Sequence, residues 1–120
     1  MKEKIKKFLK ILYVEIEDLK DDLNLLADIH EEREKKGEIT QYVFRENISL
    51  IKKEIDFVKV VLEQFHELSG SEYRNMDELI RDLDEKIKKK VSDSGCAEVV
   101  YTLLRRKFAK VKNYVEHTSD

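Results

Sequence analysis

The sequence has no proline, no tryptophan, three glycines and one cysteine among its 120 residues. Proline breaks a helix interior and glycine weakens it, so their scarcity leaves few places where a helix has to stop. Charged residues form 42% of the chain and apolar residues 41%. A chain dominated by lysine, glutamate, leucine and isoleucine favours helices, because straight side chains lose little rotamer freedom there. We therefore predict an all-α protein.

Long apolar runs are also missing, since the longest covers only four residues, as at Ile11–Val14. A helix needs about 20 apolar residues to cross a bilayer, so we expect no transmembrane span. Lys10 and Glu15 interrupt the apolar positions of the first 16 residues, and we expect no signal peptide there. The lone Cys96 allows no intramolecular disulfide, which is typical of a reducing compartment. The expected location is the cytoplasm.

A heptad pattern of apolar residues opens the chain. Its spacings alternate between four and three residues, which predicts a helix packed lengthwise against a neighbour. Polar His30 and Arg33 continue the series towards Lys35, Lys36 and Gly37, which suit the end of a helix. The apolar members are Ile5, Leu9, Leu12, Ile16, Leu19, Leu23 and Leu26.

A second heptad pattern follows after three residues. Thr40 suits the N-cap of its helix, with Ile39 and Phe44 placed to pack together across the cap. The connection is too short for any arrangement other than an antiparallel hairpin turning at Gly37. The apolar positions of this helix are Phe44, Ile48, Ile51, Ile55, Val58, Leu62 and Phe65.

Two shorter helices complete the predicted fold, an antiparallel up-down-up-down four-helix bundle in one domain, residues 1–120. Breaks are predicted at 69–71 and 92–95, and Asn75 with Glu78 forms a capping box. The four helices are expected at about 3–36, 40–69, 75–91 and 95–117. Their remaining core positions are Met76, Ile80, Leu83, Ile87, Ala97, Val100, Leu104, Phe108, Val111 and Val115.

The helix lengths are unequal, and this inequality predicts a self-association surface. At 1.5 Å per residue the first two helices reach about 45–50 Å, but the third only about 26 Å. The hairpin tip, about residues 25–51, should therefore stand free of the last two helices. Apolar residues beside its seam would have no partner within the chain, which marks an interface. We expect a homodimer, or a larger homo-oligomer, formed through Leu25, Ile29, Val43 and Leu50.

Charge is distributed unevenly along the chain. Residues 1–14 carry a net charge of +4 and residues 86–112 of +7, whereas residues 15–85 carry −11. In an antiparallel bundle the start of the first helix and the end of the last share one end, which would be basic. The alternative function is therefore a nucleic-acid-associated subunit binding polyanions with strong salt dependence. Its expected residues are Lys2, Lys4, Lys6, Lys7, Arg105, Arg106, Lys107 and Lys110.

No pattern in the sequence predicts catalysis, a cofactor or a metal. Glu63 and His66 have the Glu-x-x-His spacing of di-iron bundles, but the second copy that such a site requires is missing. We interpret both as surface residues. His30 lies on the seam opposite Glu46 and Asn47, where a polar layer including Arg33 is expected to fix the register. The leading hypothesis is accordingly a non-enzymatic interaction protein.

Overall fold

The computed structural model describes residues 2–66, 68, 72–94 and 98–117, with side chains for all of these except 2, 66, 93, 94, 98 and 99. Four helices account for most of the described chain: α1 (Lys2–Lys35), α2 (Gln41–His66), α3 (Met76–Ser94) and α4 (Glu98–His117). They form a helical bundle in which α1 packs against both α2 and α4. The predictions of an all-α fold and a four-helix bundle are confirmed.

The helix ends follow from local hydrogen bonds that the sequence supplies. Gly37 takes a φ of +73°, and the Glu38 and Gly37 amides donate to the carbonyls of Arg33 and Glu34 over 2.9 and 3.0 Å. This pair of bonds is the Schellman ending, which favours glycine because only glycine reaches a positive φ without strain. Thr40 Oγ1 accepts the Val43 amide at 3.2 Å and so caps α2 as predicted.

The capping box at Asn75 also forms, with the Glu78 amide donating to Asn75 Oδ1 over 2.9 Å. The predicted break at residue 92 is wrong, because α3 continues to Ser94. Serine and aspartate are compatible with the last turn of a helix, where the carbonyl partners are already missing. Gly95, Cys96 and Ala97 lie outside the described residues, as does the predicted break at 69–71.

The contacts run in opposite directions along neighbouring helices. As the position on α1 rises from Lys7 to Glu15, the contacted position on α4 falls from Tyr114 to Lys107. The same order relates α3 to α4, where Lys112 contacts an oxygen of Asp77 at 2.7 Å and Arg105 contacts Asp84 at 3.6 Å. The short α1–α2 connection makes that pair a hairpin as well.

The core follows most of the predicted seams. On α4, every predicted core residue that the structure describes is buried. Three fully buried residues lie outside the predicted seams, Phe8 on α1, Val61 on α2 and Leu79 on α3, while the predicted Leu9 and Ile80 are only partly covered. The reason is that each helix packs against two neighbours. Its buried stripe is therefore wider than a two-helix seam and extends to positions one step away.

The core ends abruptly at one level of the hairpin. Leu23 is the last buried residue of α1 and Ile51 the first of α2, and the described residues between them include none that is buried. Leu26, predicted in the core, is 40% exposed, which corrects that assignment. The molecule measures 54 × 31 × 20 Å with a radius of gyration of 16.7 Å, against about 14 Å for a compact chain of this length. The hairpin tip predicted at about 25–51 corresponds in the structure to residues 24–50, none of which is buried, and the name is used for these residues below.

Candidate self-association surface

The four residues predicted for self-association all lie on the hairpin tip and are all exposed. Leu25 is 58% exposed, Leu50 53%, Ile29 42% and Val43 40%. An exposed large apolar side chain is unremarkable by itself, but a group confined to one part of a molecule marks an interface. Of the eight such residues in the described chain, six belong to the tip, since Leu26 and Tyr42 join these four.

On α2 the exposed residues continue a strip that α3 covers lower down. Val43, Leu50, Phe57 and Gln64 recur every seven residues and therefore share one side of the helix. Gln64 lines a cavity together with Leu83 and Lys86 of α3, which shows that this side faces α3. Phe57, which lies below the hairpin tip, is only 5% exposed. Along this side of α2, burial therefore ends between Phe57 and Leu50.

On α1 the exposed residues continue the strip that faces α4. Ile11 and Glu15 line a cavity of about 300 Å³ with Lys110, Val111 and Tyr114 of α4. Leu25 and Ile29 lie fourteen residues beyond Ile11 and Glu15, on the same side of α1. The positions between them are Asp18 and Asp22, which are exposed. The strip is thus polar midway and becomes apolar again only on the tip.

These two strips form one face of the hairpin. α3 packs against α2 and α4 against α1, so the short hairpin α3–α4 covers one side of the α1–α2 layer. Lys107 and Lys110 both contact Glu15, which places Glu98, at the start of α4, about level with Leu25. The exposed apolar residues of the hairpin tip on that side, Leu25, Ile29, Val43 and Leu50, are named here the tip face.

Glu54 marks the lower border of the tip face on α2. Its side chain is half-buried between covered Phe57 and exposed Leu50. Burial raises the pKa of the Glu54 carboxyl above its ordinary value, because a poorly solvated carboxylate favours its neutral form. At this border the protein therefore keeps a poorly solvated carboxyl group whose charged form is disfavoured by burial. The neighbouring tip face is apolar.

The predicted polar layer at His30 does not form through its buried ring nitrogen. Nδ1 of His30 is buried and has no hydrogen-bond partner within the described residues, neither Glu46 nor Asn47 included. Arg33 instead approaches Glu38 across the turn, with 4.0 Å between nitrogen and oxygen. An unsatisfied buried nitrogen costs about 1–3 kcal/mol, so the tip lacks both core packing and full hydrogen bonding.

On α4, three of the four cations predicted for anion binding contact carboxylates of other helices. Lys110 Nζ donates to Glu15 at 2.8 Å and Lys107 Nζ at 3.4 Å, while Arg105 pairs with Asp84. Arg106 is exposed. The hydrogen bond from Lys110 is the main cause that lowers the Glu15 pKa, and the nearby charge of Lys107 adds to it, while burial opposes both.

The α1 cations lie further towards the end of the bundle. Lys7 stands 5.9 Å above the ring of Tyr114, and Lys6, Lys7 and Lys10 line a surface depression with Glu3. Lys4 is exposed, and the side chain of Lys2 lies outside the described set. Lys4 is eleven residues from Glu15, or about 16 Å along the helix. The structure thus separates Lys4 from Lys107 and Lys110 of α4, which both contact the carboxylate of Glu15.

Glu15→Gln is expected to destabilise the protein by about 0.5–1 kcal/mol at pH 7, because it removes two contacts that are partly open to solvent. A lowered carboxyl pKa contributes stability above its ordinary value of 4.5 and loses it as the pH falls through the lowered value. The difference in unfolding free energy between the Glu15→Gln variant and the parent protein should therefore disappear as the pH drops below 4.5. Urea unfolding between pH 3 and pH 7 measures it, with exposed Glu63→Gln as control; an equal effect of both changes would contradict the assignment.

Other kinds of site were searched within the described residues. They contain no group of three or more His, Cys, Asp or Glu residues placed to hold a metal ion, and the side chain of His66 is not among them. No described helix combines the length and apolarity needed to cross a membrane. The molecule belongs structurally to the helical bundles with a protruding hairpin. The chain matches no protein-family model, no curated protein and no solved structure.

Proposed function

We propose that this protein is a non-enzymatic interaction and assembly protein whose working form is a homodimer joined through the tip face. The observation that carries the proposal is the apolar tip face, whose four side chains are 40–58% exposed. Apolar residues there lower the solubility of a monomer and give it no internal packing in return. We place the protein in the cytoplasm because its single cysteine suits a reducing compartment.

A second copy is favoured as the occupant by charge. Residues 24–50 contain six acidic and four basic side chains, and both signs alternate along the segment. Two tips therefore meet without strong like-charge repulsion, whereas a partner selected by charge would need a surface of one sign. Nearly all of these charged side chains are exposed, which suits the polar rim of a protein interface with an apolar centre.

The size of the tip face also suits a reversible dimer. Twelve residues of helix extend about 18 Å, and two adjacent helices are about 20 Å wide. Two such faces hide roughly 700 Å² in total, which is below the area of stable specific interfaces and in the range of weak, transient ones. The expected dimer is therefore reversible, with dissociation in the micromolar range.

Light scattering after gel filtration tests the proposal. At loading concentrations from about 10 to 500 µM, the mass should rise to twice the 14.3 kDa of one chain. Reversible association predicts that the mass falls again on dilution, because dimer population depends on protomer concentration. A mass that stays at 14.3 kDa across the range would overturn the proposal.

A further inference from the structure

We infer that the groove between the start of α1 and the end of α4 docks an acidic peptide segment that carries a bulky apolar side chain. This surface is remote from the tip face, so the inference goes beyond the proposed homodimer and does not depend on it. The groove is named here the basal groove. It is formed by Lys7, Ile11 and Glu15 of α1 and by Lys110, Val111 and Tyr114 of α4.

The basal groove contains a cavity of about 300 Å³ between the two helices. Ile11, Val111 and Tyr114 give it apolar walls. Tyr114 is 54% exposed, so the cavity is open to solvent on one side. Small-molecule sites enclose about 70–90% of their ligand, which an open cavity does not achieve. A side chain that belongs to a larger partner fits better, because the rest of the partner covers the opening.

Exposed apolar residues lie beside this cavity. Of the eight large apolar side chains that are exposed in the described chain, six belong to the hairpin tip, and the other two are Val14 and Tyr114. Val14 lies seven residues after Lys7 and therefore on the same side of α1. Lys7 in turn stands 5.9 Å above the ring of Tyr114. The two exposed apolar residues thus belong to one stretch of surface, which is typical of an interface.

A second depression continues the basal groove along α1. Its volume is about 420 Å³, and it is lined by three lysines and one glutamate, Lys6, Lys7, Lys10 and Glu3. Lys7 links the two depressions through its contact with the Tyr114 ring. Apolar walls and a cluster of lysines therefore lie side by side.

The charges around the basal groove favour an acidic partner. Residues 3–15 of α1 and 107–114 of α4 contain seven lysines and two glutamates, a net charge of +5. One of these lysines, Lys112, contacts Asp77 of α3. Glu15 already accepts hydrogen bonds from two others over 2.8 and 3.4 Å. Carboxylates of a partner would therefore meet a positive surface, which is the complementarity that selects binding partners.

An acidic peptide matches both parts of this surface, whereas a nucleic acid matches one. Single-stranded nucleic acids bind through phosphate contacts together with several aromatic stacking platforms, and Tyr114 is the one aromatic among the described residues that line the two depressions. Phosphates also leave the apolar cavity unfilled. Ile11 lies four residues beyond Lys7, so the carboxylates of the peptide should lie about 6 Å, or one helical turn, from its apolar side chain.

Fluorescence anisotropy of labelled peptides mixed with the full chain tests the inference. The probe is a peptide of about twelve residues with one central phenylalanine, glutamates within one helical turn on either side and alanine elsewhere. One reference peptide has alanine in place of the phenylalanine, and another has glutamine in place of every glutamate. Each reference peptide should bind at least about tenfold more weakly than the probe, because each loses one of the two complementary contacts.

Protein variants locate the binding on the surface. Lys6→Glu plus Lys10→Glu should weaken probe binding by about tenfold or more, because it places carboxylates where the peptide needs cations. The matched control is Lys88→Glu plus Lys89→Glu, which makes the same change in net charge at exposed positions of α3. Tyr114→Ala removes a wall of the cavity and should weaken the probe by about tenfold, with little effect on the alanine reference peptide.

Several results would contradict the inference. They are equal binding of the probe and the alanine reference peptide, equal loss in the two lysine-pair variants, and no binding of the probe up to about 1 mM. Tighter binding of a thymidine oligonucleotide with the same number of negative charges, or of anionic lipid vesicles, would replace the peptide by another class of partner. Circular dichroism shows whether each variant is folded, and the peptide comparison on the parent chain decides the question even if Tyr114→Ala is not.

Discussion

Lysines in place of Val43 and Leu50 are expected to convert the dimer into a folded monomer. Each change removes an apolar side chain from the tip face and places a charge there. Loss of burial costs about 1.5–3 kcal/mol per residue, so the two changes together should weaken association by about 10²–10⁴-fold. Light scattering at about 100 µM should show the mass of one chain, with the helical circular dichroism signal preserved.

The matched control introduces the same two charges about 100° around α2 from Val43 and Leu50. Tyr42 and Ser49 precede Val43 and Leu50 by one residue, have the same seven-residue spacing and are exposed. The Tyr42→Lys plus Ser49→Lys variant should stay dimeric. Should the control dissociate as far as the test variant, added charge rather than the tip face would be responsible, and a dimeric mass for the test variant would contradict the assigned surface.

Leu19→Asp is expected to produce the largest loss of stability. Leu19 is 9% exposed and belongs to the core cluster between α1 and α2. A carboxylate there would be buried without a partner, which costs about 3–5 kcal/mol. The unfolding temperature should fall by about 10–20 °C in a domain of this size. Circular dichroism melts at low protein concentration measure the change without a contribution from dimer formation.

Val14→Asp provides the control for Leu19→Asp. Val14 is on the same helix but 53% exposed, so its substitution should cost less than about 1 kcal/mol. Both variants add one negative charge to α1 and differ only in burial. A Leu19→Asp protein that melts together with the Val14→Asp protein would show that α1 does not pack through the predicted seam.

The sequence predicted the helices and their ends because these depend on neighbours in the chain. Gly37 terminates α1 since it alone accepts the positive φ of a Schellman ending, and Thr40 caps α2 through its own hydroxyl. The seam of α4 was predicted in full for its described positions, because its apolar residues occupy a single stripe. Such features need no knowledge of the partner helix.

Predictions of burial failed where a second neighbouring helix determined whether a residue is covered. Phe8 and Leu79 are buried because their helices have two neighbours, while Leu26 is exposed because the core stops one turn below it. Leu26 belongs to the same heptad series as the buried Leu19 and Leu23, whereas Phe8 and Leu79 lie outside the predicted series. Only the neighbouring helices determine which of these positions are covered.

For electrostatics, too, some features could be predicted from the sequence and others depend on the tertiary structure. The sequence showed that both ends of the chain are basic, since that requires only counting. It did not show that Lys107 and Lys110 would bracket Glu15, because that contact joins residues more than 90 positions apart. The pairing withdraws these cations from a common surface with Lys4 and reduces the charge available for a polyanion.

The sequence by itself determined an all-α chain, a long first hairpin, its turn at Gly37 and the apolar residues on its tip, because helix periodicity and capping are local. The tertiary structure alone decided that Leu25, Ile29, Val43 and Leu50 are exposed, since this depends on where α3 and α4 pack. A heptad pattern gives the angle of a residue around its own helix. The other helices determine whether anything lies in that direction.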